Sequence, residues 1–153
     1  MADVSHILHH AESSCDAHGV RLTAKRKNVL ACLLQSEKAQ SAYELIDAMR
    51  ENYGESVQPT TMYRILDFLE SEDLVHKLHV ANKFVACSHI SCDHRHEVPQ
   101  FLICSSCDRV AEIGVDKQLM NTLDRSVQKS GYTLTSPRLE LHCLCAECAV
   151  PAA

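Results

Sequence analysis

The sequence predicts an α+β protein whose helical first half is followed by a second half of short strands and one helix. Apolar residues recur at helical spacing before Leu74, whereas β-prone runs bounded by turn residues dominate after it. Seven of the nine Cys and six of the ten His also lie beyond Leu74, so the two halves differ in chemistry as well as in periodicity. With 153 residues, 46% of them hydrophobic, the chain is long enough for one domain or two small ones.

The first two predicted helices are recognised by apolar residues three or four positions apart. The first helix carries on one face Val4, Ile7, Leu8 and Ala11. Thr23 is the expected N-cap of the second helix, because a Thr hydroxyl accepts a hydrogen bond from a backbone N–H of the first turn. The expected buried residues of this second helix are Val29, Leu30, Leu33 and Leu34.

The third and fourth helices have distinct start signals. Ser41 and Glu44 have the spacing of a capping box, and the stripe that follows them consists of Leu45, Ile46 and Met49. This helix is expected to end at 52–54. Pro59 begins the fourth helix, which is expected to end at 71–73 and to face the core with Ile65, Leu66 and Leu69. Tyr63 and Arg64 are then left on other faces.

Two β-prone runs, 74–80 and 83–87, follow the fourth helix, and Ala81 and Asn82 between them favour a hairpin turn. Helices followed by a small hairpin are typical of a winged helix-turn-helix, in which one helix lies in the major groove of DNA. The fourth helix is then the expected recognition helix, and the hairpin is the wing. A plain helical bundle is the alternative at this point, because amphipathic helices in a row are common.

Beyond the hairpin, the periodicity predicts strands around one helix. A strand is expected over 110–113 and a helix over 116–129, with one face formed by Leu119, Leu123 and Val127. Two more strand segments are expected over 132–134 and 139–141.

The charge balance does not by itself indicate a nucleic-acid partner. The chain has a net charge of -5, and residues 1–80 hold eight Lys or Arg against twelve Asp or Glu, a net charge of -4. One basic cluster, however, has no acid between its members, namely Arg21, Lys25, Arg26 and Lys27. Phosphate contacts need only a local basic face, so the cluster predicts a salt-sensitive affinity for DNA.

The composition also bears on the compartment. No apolar run approaches the roughly 20 residues that a membrane span needs, so no contact with a membrane is expected. The N-terminus lacks a basic and apolar leader, and the protein is therefore expected in the reducing cytoplasm, where disulfides are disfavoured. Metal ligation is then the leading interpretation of the nine Cys and ten His.

Two Cys-x-x-Cys pairs form the strongest metal signal in the sequence. Cys104 with Cys107 and Cys145 with Cys148 supply four thiolates, the tetrahedral ligand set of structural zinc. Such a closed set leaves no position for a substrate. A redox-active pair and plain buried thiols are the alternatives, and the presence of two pairs favours zinc over both.

A second, looser group of potential ligands lies where the two halves of the sequence join. It comprises His76, Cys87, His94, His96 and Glu112. A mixed set of sulfur, nitrogen and oxygen suits zinc, whereas an iron or manganese site favours nitrogen and oxygen. Spacing alone does not select these residues, because a single His is more often a surface residue than a ligand.

These motifs resemble the ferric uptake regulator family, and within it the zinc uptake regulator branch. The resemblance runs through 20–23, 41–45, 59–69, 74–77, 101–107 and 144–148, and the Thr-Met-Tyr-Arg stretch at 61–64 followed by the two knuckles is highly specific. It implies an N-terminal winged-helix DNA-binding domain over 1–87, with a hinge near 76–90. It also implies a C-terminal α/β dimerisation domain over 91–150.

The resemblance also implies two zinc ions per subunit. Structural zinc would be held by Cys104, Cys107, Cys145 and Cys148. Regulatory zinc would be held by His76, Cys87, His96 and Glu112, with His94 as the substitute for His96. The implied DNA contacts are Thr61, Tyr63, Arg64, Arg21, Lys25 and Arg26, and the Arg64 guanidinium matches a guanine edge through two parallel hydrogen bonds.

The predicted function is therefore a zinc-dependent transcriptional repressor that binds double-stranded operator DNA as a zinc-loaded homodimer and represses zinc-uptake genes. Neither a small-molecule substrate nor a catalytic residue is expected. One alternative is an iron- or peroxide-sensing regulator of the same family. The other is a zinc metalloenzyme, which is disfavoured because the deaminase signature requires a Pro directly before a Cys-x-x-Cys and neither pair has one.

Overall fold

Four helices and a β-hairpin build the first of two compact units in the computed structural model, which describes residues 3–79, 81–92 and 98–150. The first unit is Met1–Asp93 and the second is His94–Ala153. The elements of the first unit are α1 (Val4–Ala17), α2 (Ala24–Leu34), α3 (Ala42–Tyr53), α4 (Pro59–Ser71), β1 (Val75–Leu78) and β2 (Lys83–Ala86). The predicted α+β fold class, with helices preceding a hairpin, is confirmed.

The helices α2, α3 and α4 begin at the residues that their start signals indicate. The Thr23 hydroxyl accepts a hydrogen bond from the Arg26 backbone N–H at the start of α2. Ser41 and Glu44 form the complete capping box at the start of α3, and Pro59 occupies the first turn of α4. Local side-chain chemistry therefore fixes where each helix enters the core.

The core of the first unit consists of the apolar faces of its four helices. Fully buried residues on α2, α3 and α4 include Val29, Leu30, Leu45, Met49, Leu66 and Leu69. The hairpin is attached through Phe84, which is buried and exchanges two backbone hydrogen bonds of 2.9 and 2.8 Å with Gln40. The inner side of α4 is therefore buried in this core, whereas its outer side is exposed to solvent.

The second unit contains a three-stranded sheet in the order β4, β3, β5. Its elements are β3 (Gln100–Cys104), β4 (Val110–Ile113), α5 (Lys117–Lys129), β5 (Glu140–Cys143) and α6 (Ala146–Ala149). The β3 and β4 strands are antiparallel, whereas β5 returns after α5 to pair parallel with β3. The carboxyl ends of β3 and β5 therefore lie at the same edge of the sheet.

Two strand predictions for the second unit differ from the structure. The predicted strand over 132–134 is wrong: these residues pair with no strand of the sheet, and Tyr132 is 74% exposed in the connection that carries the chain back from α5. The strand predicted over 139–141 is displaced to Glu140–Cys143. Neither β3 nor α6 was predicted from the sequence.

Within 98–150, the described part of the second unit, the buried residues lie on one strand. Among its described residues, the buried ones are Gln100, Phe101, Ile103 and Cys104, all on β3, and α5 buries none. Such a small core stabilises little by itself, so this unit needs further interactions to remain folded. Across 3–79, 81–92 and 98–150, none of the helices combines the length and apolar character needed to cross a bilayer.

The capping box of α3 predicts an acid-sensitive contribution to stability. The Glu44 carboxylate accepts a 2.6 Å hydrogen bond from the Ser41 backbone N–H and lies 3.4 Å from the Lys83 ammonium, and these groups lower the pKa of Glu44. Because the folded pKa is the lower one, the charged carboxylate stabilises the fold above the unfolded pKa of about 4.3, and this contribution disappears as pH falls through the folded value.

We expect Glu44→Gln to lower the free energy of unfolding by about 1 kcal/mol near neutral pH, with a smaller difference from the wild type in acid. Urea unfolding of the first unit across this pH range measures the difference. Glu51→Gln, at an exposed position in the last turn of the same helix, is the matched control. If Glu44→Gln lowered the free energy of unfolding by the same amount in acid, the stabilising role of the charged Glu44 carboxylate would be contradicted.

Candidate metal centre and DNA-binding surface

The topology of the second unit brings the two Cys-x-x-Cys pairs together. Cys104 ends β3, and Cys145 follows the parallel strand β5 by two residues, so both knuckles lie at the same edge of the sheet. One sulfur from each of the four Cys lies within 4.8 Å of the others, and the Sγ atoms of Cys107 and Cys145 are 3.8 Å apart. A tetrahedral zinc ion with bonds of about 2.3 Å would separate its sulfurs by about 3.8 Å.

Backbone and side-chain contacts hold the two knuckles in place. Asp108 adopts a φ of 60° at the end of the first knuckle, and the Cys104 backbone N–H donates to the Arg109 carbonyl at 2.9 Å. The Cys145 backbone N–H donates to the Cys104 sulfur at 3.4 Å, which joins the second knuckle to the first. The Arg109 guanidinium also contacts both carboxylate oxygens of Glu147 at 3.1 and 3.2 Å.

The electrostatics of the four thiols fit a divalent cation. The backbone N–H groups of Cys145, Cys107 and Ser106 lower the pKa of Cys104 to about 6. The Ser106 hydroxyl lowers the pKa of Cys148, but hydrogen bonds with the thiols of Cys145 and Cys107 outweigh it and raise that pKa to about 12. Four sulfurs this close cannot all be thiolates unless a cation balances their charge, and Zn²⁺ supplies that charge.

Two residues of the predicted regulatory set lie in the hairpin region of the first unit. His76 lies on β1 opposite Val85 and is 9% exposed, and Cys87, which follows β2, is 3% exposed. The Cys87 backbone N–H donates to the Leu74 carbonyl at 2.9 Å, so the hairpin pairing extends to this thiol. A buried imidazole and a buried thiol at the base of the hairpin suit zinc.

The remaining residues of that predicted set belong to the second unit. Glu112 lies on β4 opposite Phe101 and is partly buried. His94 and His96 lie outside the described residues. The regulatory set therefore stays a prediction.

The outer side of α4 carries the residues predicted to contact DNA. Thr61, Tyr63 and Arg64 are exposed, whereas the residues between and beyond them, Met62, Ile65, Leu66 and Leu69, are buried. The helix therefore presents one polar face with a cation and a phenol near its N-terminal end, which is the arrangement of a recognition helix in a winged helix.

The basic cluster at the start of α2 has specific intramolecular partners. Lys25 Nζ lies 3.8 Å from the Glu55 carboxylate, and Lys27 Nζ lies 2.8 Å from that of Glu12. Arg21 is exposed. These carboxylates come from other segments of the first unit, and the sequence offered no signal for the pairs, since no periodic spacing relates residues so far apart.

Arg26 differs from its neighbours because it contacts a ring. Its guanidinium carbon lies 3.7 Å from the centroid of Phe68 on α4, and its Nη1 donates to the Arg21 carbonyl at 2.8 Å. Phe68 was predicted only as part of a motif on α4, and no spacing in the sequence indicates its contact with Arg26.

A winged helix and a four-thiol cluster suited to structural zinc, on one chain, are typical of a metal-containing DNA-binding regulator. The sequence model of the Ferric uptake regulator family matches residues 17–142. The chain belongs to the ferric uptake regulator family, a family of transcription regulators, and the membership that its motifs predicted is confirmed.

The known proteins that this chain resembles include zinc regulators. The zinc uptake regulation protein of Escherichia coli (strain K12) is 37% identical over 144 residues, which cover 93% of this chain and 81% of the relative. A solved zinc uptake regulator complexed with zinc and DNA has a TM-score of 0.80 and 32% identity over 97% of this chain and 96% of that one. For holo XcZur the TM-score is 0.77 and the identity 38%, over 96% and 99% of the two chains. The predicted similarity to the zinc branch is confirmed.

Proposed function

We propose that this protein is a zinc-dependent transcriptional repressor that binds operator DNA as a zinc-loaded dimer and represses zinc-uptake genes. The observation that carries the proposal is the similarity along almost the whole chain to a regulator solved with both zinc and DNA. The exposed face of α4 and the four clustered thiols give that similarity a physical basis in this chain.

Each subunit holds two zinc ions in this proposal. Cys104, Cys107, Cys145 and Cys148 form the structural site, which closes the edge of the sheet and has no open position for a substrate. No catalytic residue is therefore proposed. A site of four thiolates also requires a reducing compartment, which supports a cytoplasmic location.

The second zinc ion is the regulatory one. Its proposed ligands are His76, Cys87, His96 and Glu112, with His94 as the substitute for His96. The buried thiol of Cys87 favours zinc over iron, because thiolate is a soft ligand. The proposed domains are 1–87, with a hinge near 76–90, and 91–150, so ligands from both would contribute to one site.

Ligands contributed by two domains make zinc a constraint on the geometry of the dimer. If the ion binds the DNA-competent arrangement about a hundredfold better than the alternatives, it stabilises that arrangement by about 2.7 kcal/mol. His76 and Cys87 at the base of the hairpin would transmit this constraint to the winged helix, which carries the DNA-binding residues.

The second unit supplies the dimerisation surface in this proposal. Several of its large apolar side chains are exposed, namely Leu119 (59%), Tyr132 (74%), Leu141 (45%) and Leu144 (56%). An amphipathic helix that buries none of its own residues is stable when a second copy covers its apolar face.

The DNA contacts divide into two kinds. Arg64, Tyr63 and Thr61 on α4 reach base edges, and the Arg64 guanidinium is suited to guanine. Arg21 and Lys25 approach the phosphates, and the intramolecular pair between Lys25 and Glu55 is weak and exposed enough to be replaced by a phosphate.

A zinc-titrated gel shift combined with metal counting tests the function. We expect the wild type to hold two zinc ions per subunit and to bind its operator only when zinc-replete. His76→Ala and Cys87→Ala should each retain one zinc ion and lose the zinc response, because each removes a ligand of the regulatory site alone. The affinity at saturating zinc should fall by about a hundredfold.

Cys92→Ala is the matched control, since Cys92 is an exposed thiol close to Cys87 in the chain. It should keep both zinc ions and the full response. If the His76 or Cys87 variant bound the operator as tightly as the wild type, under both zinc limitation and zinc repletion, the regulatory site would be contradicted. A wild type that responds to iron or peroxide instead of zinc would favour the alternative regulator of the same family.

A further inference from the structure

Arg26 makes two contacts that tie the start of α2 to α4. Its guanidinium carbon lies 3.7 Å from the centroid of the Phe68 ring, a distance at which a planar cation lies directly against an aromatic face. Its Nη1 donates a 2.8 Å hydrogen bond to the Arg21 carbonyl. The side chain is partly buried and therefore fixed from both sides.

These contacts differ in kind from those of the neighbouring lysines. Lys25 and Lys27 face carboxylates, and a DNA phosphate can replace a carboxylate without any change in the ammonium group. Arg26 faces a ring and a carbonyl, and it would have to leave the ring to lie flat against a phosphate. The four basic residues look alike in the sequence, but the Arg26 side chain already has intramolecular partners that a phosphate does not resemble.

Phe68 connects Arg26 to the DNA-binding face. It lies four residues after Arg64 on α4, and residues four apart are neighbours on a helix surface. Phe68 is partly buried and packs against the core of the first unit. A guanidinium lying on this ring restrains the ring, which is a neighbour of Arg64 on the surface of the helix.

We propose that Arg26 is a positioning residue for the recognition helix rather than a phosphate contact. Through Phe68 it fixes the orientation in which Arg64 meets the base edges, so it contributes to operator preference and not to general affinity for DNA. The inference rests on the proposed role of α4 as the recognition helix, and it replaces the direct DNA contact that the sequence predicted for Arg26.

Arg26→Lys tests the proposal because it keeps the charge and removes the planar contact. The probes are a duplex selected from a random library by the zinc-loaded wild type and a shuffled duplex of the same composition. Affinity for the selected duplex should fall about tenfold, while affinity for the shuffled duplex and the salt dependence of binding stay unchanged. If Arg26 contacts a phosphate instead, Lys at this position should preserve binding to both duplexes. That result would overturn the proposal.

Two further variants keep the test decisive. Phe68→Leu removes the ring and should reproduce the loss of preference, and the double variant should lose little more than either single variant, because both remove one contact. Additive losses would overturn the proposal. Lys25→Met is the control for a phosphate contact. It should weaken binding to both duplexes alike, with a salt slope shallower by about 1.8, that is, about 0.9 for each of the two subunits.

Zinc counting and thermal unfolding of the variants confirm that they are folded and loaded. The wild-type arm separates this inference from the proposed function. A wild type without zinc-dependent preference for the selected duplex would contradict the function itself. A zinc-dependent wild type whose preference survives in Arg26→Lys and Phe68→Leu would contradict only the role of Arg26.

Discussion

Cys145→Ser is expected to unfold the second unit, to abolish dimerisation and to lose both zinc ions, because this unit also carries the proposed regulatory ligands His96 and Glu112. The variant removes one of four clustered thiols and also disturbs the backbone donor to the Cys104 sulfur. Structural zinc contributes an apparent binding free energy of about 10–16 kcal/mol to folding. The described residues of this unit bury side chains only on β3, so the remaining core cannot replace that contribution.

Metal counting, analytical ultracentrifugation and circular dichroism together measure this outcome. Cys143→Ser is the matched control, because Cys143 lies on β5 two residues before Cys145 and is outside the cluster of four sulfurs. We expect this control to retain zinc, dimer and fold. A Cys145→Ser protein that remained a dimer with two zinc ions would show that the four thiols are not a shared structural site.

Arg64→Ala is expected to abolish operator preference while the protein still folds, dimerises and binds zinc. One bidentate contact to a guanine contributes about 1–3 kcal/mol to discrimination, and a dimer makes it twice. The loss should therefore reach about 2–6 kcal/mol, or at least about thirtyfold in affinity for the operator. Arg64 is exposed, so its truncation removes no core contact.

Competition binding between an operator and an unrelated duplex provides the measurement. Arg125→Ala removes the same charge from an exposed position on α5 and should leave the preference intact. Equal losses in Arg64→Ala and Arg125→Ala would indicate a general charge effect in place of base recognition. Unchanged operator binding by Arg64→Ala would exclude the proposed contact.

The local features of the fold were predictable from the sequence. Ser41, Glu44 and Pro59 identify helix starts because their side chains act on backbone groups within one turn. The two Cys-x-x-Cys pairs predicted a shared site, because knuckles of this spacing place two sulfurs on one ion. The helix starts have their physical cause within a few residues of the signal, whereas the two distant knuckles were joined by the requirement of one zinc ion for four thiolates.

Features that depend on distant segments were not predictable. The strand expected over 132–134 failed because strand propensity does not reveal whether a segment finds a pairing partner in the fold, and these residues pair with no strand. The contact between Arg26 and Phe68 joins two helices whose relative placement follows from core packing, and no spacing in the sequence encodes it. Glu55 and Glu12 partner the lysines of α2 for the same reason.

The parallel pairing of β3 with β5 also determines the order in which the molecule is completed during its synthesis on the ribosome. The first unit depends on contacts between consecutive helices and a hairpin, so it is able to fold as soon as it emerges. The first knuckle must wait for α5, β5 and the second knuckle before its thiolates acquire all their partners. A nascent chain therefore completes its helical unit before the sheet of the second unit is able to bring the four thiols together.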